Sequence, residues 1–289
     1  MRYLVPAQWR ARMREHANRA DGLTRAHLER RRNHRKHPVY DFLFDYYQVR
    51  PGQLRSWHPG LGTQLLGQPP HAGWRDYRRE QPVGVDVDAF LRRRGEGVAK
   101  IGELLSRTAS NPARFDCFGL HEWAMVYHGT PRHDLPLRLG ARTNEVVEEH
   151  NLRCTHYDAF RFFTPPARPL NLTVLSRPAQ AQHEQSGCVH ATMDLYKWAH
   201  KLGPLVPGDL LLDAFVLARR ARVLDMEASP YDVRGLGFGV VPIETPEGKA
   251  EYVRRQRELA HDAEPIRARL IKIVSTVKDA KLLAKSETT

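Results

Sequence analysis

The chain has 289 residues, 41% of them hydrophobic, which suffices for a real core in one large domain or two small ones. No apolar run approaches the roughly 18–20 residues that span a bilayer, so no membrane partner is expected. Forty-five Lys and Arg against 33 Asp and Glu give a formal charge of +12 and a pI near 9.9. That balance points to a polyanionic partner, with nucleic acid first, or else to arginine-rich composition alone.

The start, "MRYLVPAQWRARMREH", is basic and amphipathic like an organelle transit segment, but it has no apolar signal-peptide core. Its helical spacing reads as an ordinary first helix of a cytoplasmic protein, in which Cys117, Cys154 and Cys188 are reduced thiols. Residues 6–35 read as one long helix or two, with Pro6 in the first turn. Within this stretch "RAHLERRRNHRKH" concentrates Arg25, Arg30, Arg31, Arg32, Arg35 and Lys36, the candidate contacts to nucleic-acid phosphates. "VYDFLFDYYQV" (39–49) is apolar on nearly every face and should be buried. Pro and Gly then break the chain, and 67–84 is loop-like. A helix is expected over 86–110, weakened in its middle by Gly95 and Gly97. Further helices are expected at 117–128, 143–150, 156–163, 181–202 and 208–228. The last helix runs over about 246–285, with Thr245 as N-cap, Pro246 in the first position and a kink or split at Pro265. A basic stretch, Lys249 to Arg257, is diluted by Glu251 and Glu258. Strand signals are short: "TQLLG", "LRCTH", "LNLTVL" and "FGVVPI". The expected fold is mainly α: a single helical domain over 1–285, at most a small peripheral sheet, and a disordered tail over 286–289.

Three segments share a pattern that composition does not require: "CFGLHEWAMVY", "CTHYDAFRFF" and "CVHATMDLYKW". In each, a cysteine is followed within four residues by a histidine, then by a carboxylate and aromatics. Imidazole and carboxylate are the usual groups for proton transfer at neutral pH and for holding metal ions. The candidate catalytic residues are therefore His121, Glu122, His156, Asp158, His190 and Asp194. On the third segment Ala191, Leu195, Trp198 and Leu202 form a core-packing stripe, which turns His190 and Asp194, one turn apart, toward the edge of that packing. The three segments are expected to share one cavity. Of His121–Glu122 and of His156–Asp158, only one member need reach it. Asp213, Asp225, Glu227, Tyr231, Asp232 and Glu244 are further candidates. Arg138, Arg153, Arg161, Arg168 and Arg222 could instead pair with these acids as a structural network. The cysteines lack CxxC spacing and read as small core residues. GxGxxG after a strand, GxxxxGK[ST], HExxH, GxSxG and the zinc-deaminase pattern are all missing.

Several longer segments, "HPVYDFLFDYY", "WHPG", "PLRLG", "RCTHYDAFRFFTP", "GCVHATMDLYKWA", "DMEASPYD" and "IETPEGKAEYVRRQR", resemble a family of bacterial proteins labelled 3-methyladenine DNA glycosylase. The resemblance implies a DNA-repair hydrolase that cleaves the N-glycosidic bond of alkylated purines in double-stranded DNA and requires no cofactor. No "LPGVGPxTA"-like loop followed by an Asp is present; "LGPLVPGDLLLDAF" has the wrong order. Base excision needs a basic surface, a carboxylate and rings to stack an extruded base, here Trp123, Tyr157 and Trp198. The same ingredients suit a helical enzyme of non-haem iron or manganese acting on a small molecule. A non-catalytic nucleic-acid-binding protein would explain the charge but not the polar pattern.

Overall fold

The computed structural model describes residues 1–286, with side chains through 279; the expected tail over 286–289 lies outside the described residues save for Ser286. The fold is mainly α. Among the described residues the sheet is two short parallel strands, β1 (Arg2–Leu4) and β2 (Thr63–Leu65), with Tyr3 opposite Gln64. The helices are α1 (Pro6–Arg32), α2 (Phe42–Asp45), α3 (Pro51–Arg55), α4 (Val87–Ser110), α5 (Leu120–Ala124), α6 (Thr143–Glu148), α7 (Tyr157–Phe160), α8 (Gln180–His183), α9 (Val189–Lys201), α10 (Gly208–Glu227) and α11 (Pro246–Ser286). The chain divides into two compact units: residues 1–105, 196–216 and 266–289, and residues 106–195 and 217–265.

In the first unit α1 is a single helix. Its buried residues Trp9, His16, Ala20, Thr24 and His27 recur at helical spacing, and Pro6 occupies the first turn as its missing N–H allows. The aromatic segment after it is buried as expected at Val39, Leu43, Phe44 and Val49. Phe44 and Tyr196 both pack on Phe215, with ring centroids 5.5 and 5.1 Å away. Gly208 is required by close approach, since a Cβ there would lie 2.8 Å from the His16 ring and from Trp57. Gly95 and Gly97 do not interrupt α4.

In the second unit the short helices differ most from expectation. The helix expected over 181–202 is two, α8 and α9, separated by Glu184–Cys188. Gly187 sits in that break, where a Cβ would crowd Gln185 and Phe115, and its carbonyl accepts a 2.7 Å bond from the buried Gln256 Nε2 on α11. "LRCTH" and "LNLTVL" form no strand; they meet at an isolated bridge between Leu152 and Asn171 and through the Asn171 side chain, which accepts the Cys154 N–H at 2.8 Å and donates to the Cys154 carbonyl at 3.0 Å. The Thr245 cap is present, its hydroxyl accepting the Gly248 N–H at 3.0 Å. Helix α11 runs through Pro265 without a break. The carbonyl that Pro265 leaves without a donor belongs to His261, and both residues are exposed, so water can satisfy it. No helix of the described residues is long and apolar enough to cross a membrane.

Candidate metal centre

In the second unit the three cysteine–histidine segments converge. Gly119, with φ +74°, turns the chain into α5; a Cβ there would stand 3.2 Å from the Tyr252 ring and 3.3 Å from Ala228. That turn buries His121 and Glu122, and both reach the centre rather than one alone. Helix α10 presents Arg222 and Asp225 one turn apart. His121 Nε2 donates to Asp225 Oδ1 at 2.7 Å, and its Nδ1 lies 3.6 Å from Cys117 Sγ. Arg222 Nη1 donates to Asp225 Oδ2 at 2.6 Å and to Glu122 Oε1 at 3.0 Å.

His190, the second residue of α9, completes the group. Its ring meets His121 edge-on at 4.4 Å and stacks on His156 at 5.3 Å. The residue keeps some exposed surface, but its Nδ1 is sealed from solvent and makes no hydrogen bond among the described residues. One donor atom from each of His121, Glu122, His190 and Asp225 lies within 4.8 Å of the others. Metal–N and metal–O bonds of about 2.0–2.2 Å put two ligands of one ion at most about 4.4 Å apart, so a few tenths of an ångström close the set.

The electrostatics of the four groups are coupled. Burial works against a protonated His121, but the charge and hydrogen bond of Asp225 outweigh it and raise the ring well above its ordinary range. Burial, together with the charge of His121, lowers His190 well below that range, so it is a neutral ligand-type imidazole. Burial would raise Asp225, yet the surrounding histidines and Arg222 hold it as carboxylate. Burial and then the nearby Asp225 charge push Glu122 up.

Beyond His190 lie the remaining histidine and two more acids. His156, 1% exposed, precedes α7 in an extended conformation. Its Nε2 stands 3.4 Å from Asp194 Oδ2 and 3.5 Å from Glu184 Oε2. Glu184 accepts from Gln180 Nε2 at 2.9 Å and from Thr108 Oγ1 at 3.3 Å. A cleft of about 390 Å³ is lined by Cys154, Thr155 and Gln185, the chain neighbours of His156 and Glu184, with Arg114 and Arg153 among its cationic residues.

The structure thus brings together His121, Glu122, His156, His190 and Asp194. Asp158 is turned elsewhere: although buried, it accepts from Arg177 Nη2 at 2.5 Å and lies 3.4 Å from Arg161, a structural ion pair. Glu184 was not singled out in the sequence, because it falls in a break that periodicity smooths over. Asp213 is not buried but pairs with Arg19 at 2.7 Å at the surface. Glu227 pairs with Arg255, Asp232 with Arg234, and Glu244 with Arg138. All three cysteines are free thiols, and burial raises Cys154 and Cys188.

The stacking and phosphate candidates fare differently. Trp123 is fully buried, its Nε1 donates to Ala228 O at 2.9 Å and Arg138 covers its ring, so it offers no face to a base. Arg177 covers Tyr157 at 4.5 Å, and Lys197 and Lys201 flank the 8%-exposed Trp198. Arg30 binds the buried Asp41 through both Nε and Nη2, which takes it out of the phosphate set. Arg25, Arg31, Arg32, Arg35 and Lys36 are exposed and form no ion pair among the described residues. In the other basic stretch Arg254 is held by Glu251 and Glu258, and Arg257 lies over Phe115.

No protein-family model matches the chain, and no curated protein and no solved structure matches it either.

Proposed function

We propose that this chain is a metal-dependent enzyme whose centre is held by His121, Glu122, His190 and Asp225. The observation that carries the reading is the His190 imidazole, neutral and sealed at Nδ1, set within reach of two carboxylates and a second histidine. A closed ion network accounts for Asp225, Arg222, Glu122 and a protonated His121, whose charges cancel. It leaves His190 without a function, and a buried ring nitrogen lacking a partner costs about 1–3 kcal/mol. Ligation removes that cost. The mixed imidazole and carboxylate donors suit manganese, iron or zinc.

A bound ion would supply Lewis acidity, polarising a substrate oxygen or lowering the pKa of water. The chain's own groups set the conditions for that chemistry. Arg222 fixes one oxygen of each carboxylate and offsets part of their charge. The cleft beside Thr155 and Gln185 is of small-molecule size, and Arg114 and Arg153, which line it, share Asp116 at 3.6 and 3.0 Å. The test is metal content after purification and dialysis against Mn²⁺ or Fe²⁺. Tight retention of metal by the wild type and its loss in His190→Ala are expected; retention unchanged in that variant overturns the reading.

The exposed arginines at the end of α1 favour a second reading, the DNA glycosylase that the family resemblance implies. Release of alkylated purines from duplex DNA by metal-free protein would establish it, and its absence with metal-free protein would remove it.

A further inference from the structure

We infer that a cavity in the first unit binds a small organic phosphate, an apolar body carrying a phosphomonoester, through Arg2 and Arg12. The inference goes beyond the proposed function and uses none of its residues.

The cavity, of about 480 Å³, is of small-molecule size. Helix α1 supplies one wall, where Arg12, Glu15, His16 and Arg19 recur at helical spacing. Arg2 on β1 and Thr63, its partner on β2, line the cavity from the sheet, and Thr63 adds a hydroxyl donor. Asp209 of α10 and Arg269 of α11 complete the polar lining. The apolar part is Trp57, Pro59, Leu61, Pro207 and Leu212. Backbone bonds hold that part in place: Leu61 N–H donates to Leu205 O and Gly208 N–H to His58 O, both at 2.9 Å. The wall is therefore formed before any ligand arrives.

Charge identifies the ligand. Arg19 and Arg269 pair with Asp213 at 2.7 Å and Asp209 at 3.1 Å, through exposed side chains. Exposed pairs contribute little to stability, so an anion can compete for both guanidiniums. Arg2 and Arg12 form no ion pair among the described residues. Glu15 is the remaining acid of the lining and offsets one of them. Burial lowers His16 below its ordinary range, so it adds no charge at neutral pH. A carboxylate is matched by a single guanidinium fork, whereas the three oxygens of a phosphoryl group accept from several. Four guanidiniums around one cavity thus select phosphate, and the apolar wall selects an organic body beside it.

The test is calorimetric titration of the full chain, dialysed without added metal, with phenyl phosphate. Saturable binding is expected. Arg2→Gln and Arg12→Gln should each weaken it about tenfold, the loss of one charge-assisted hydrogen bond. Glu15→Gln should tighten it, which a merely structural role would not do. Arg14→Gln, exposed on the same helix and outside the lining, should change nothing. No saturable binding, or a loss in Arg14→Gln equal to that in Arg12→Gln, would overturn the site. Benzoate binding as tightly would overturn the phosphate, and inorganic phosphate binding as tightly would overturn the organic body. Displacement of phenyl phosphate by duplex DNA would put a backbone phosphate there and overturn the small ligand.

Discussion

Buried histidines occur in both units, and what they face separates them. In the first unit His16 Nε2 meets Leu54 O at 2.8 Å, His71 Nε2 meets Trp57 O at 2.9 Å, and Nδ1 of the half-buried His58 meets the Tyr77 hydroxyl at 2.8 Å. His71 even shares the sealed, unbonded Nδ1 seen in His190, yet its ring packs on Trp74 and Tyr77. In the second unit His121, His156 and His190 face one another and four carboxylates. A sealed ring nitrogen is therefore a packing feature among aromatics and a ligand candidate among acids. Burial alone does not distinguish the two cases.

The largest effect should come from the buried cation. Arg222→Ala leaves Glu122 and Asp225 without their shared donor and should cost about 3–5 kcal/mol in urea unfolding. Asp41→Asn in the first unit, where Arg30 remains partly exposed, should cost less, about 1.5–3 kcal/mol. Equal losses at the two sites would erase the contrast.

Metal should stabilise one histidine's surroundings and ignore the other's. Mn²⁺ at a hundred times its dissociation constant should add about 2.7 kcal/mol to wild-type stability. His71→Ala should keep that gain despite a lower starting stability, and His190→Ala should lose it. A gain that disappears in both variants, read by thermal unfolding, would contradict the assignment.

A smaller effect sharpens the first unit's side. Burial lowers His58 from 6.5 to about 4, so the unfolded chain takes up the proton first. The stabilisation from the neutral ring is complete above pH 6.5 and is lost progressively as the pH falls toward 4. His58→Gln should flatten that part of the pH–stability curve, as measured by urea midpoints at pH 7, 5.5 and 4. An unchanged slope would show that the proton goes elsewhere.

Least affected in stability should be the exposed cluster of α1. Reversing Arg31, Arg32, Arg35 and Lys36 to Glu should shift unfolding by less than about 0.5 kcal/mol. Were these side chains to neutralise phosphates, duplex binding would weaken in the variant and its salt slope would flatten by about 0.9 for each phosphate left unneutralised. Unchanged binding would leave the charge as composition.

Much of the helical frame was legible because periodicity and caps are local: α1, α4, α10 and the Thr245 start of α11 follow from spacing alone. The three cysteine–histidine segments were legible as a pattern, each carried by a few consecutive residues. Their partners were not. Asp225 bonds His121 across 104 residues, and nothing local distinguishes it from Asp213 in the same helix, which is exposed. Asp158 looked like its counterparts until Arg177 proved to hold it. Glu184 sits where α8 stops short, in a break whose Gly187 carbonyl is held by Gln256 from 69 residues away. Pro265 warned of a break in a helix whose exposed face tolerates it.

The most direct measurement is anomalous diffraction at the manganese or iron edge from crystals of the metal-loaded chain. A peak within about 2.0–2.3 Å of donor atoms of His121, His190, Glu122 and Asp225 is the predicted result. Density with no anomalous peak there, and His121 still hydrogen-bonded to Asp225 in the presence of excess metal, would contradict the metal centre.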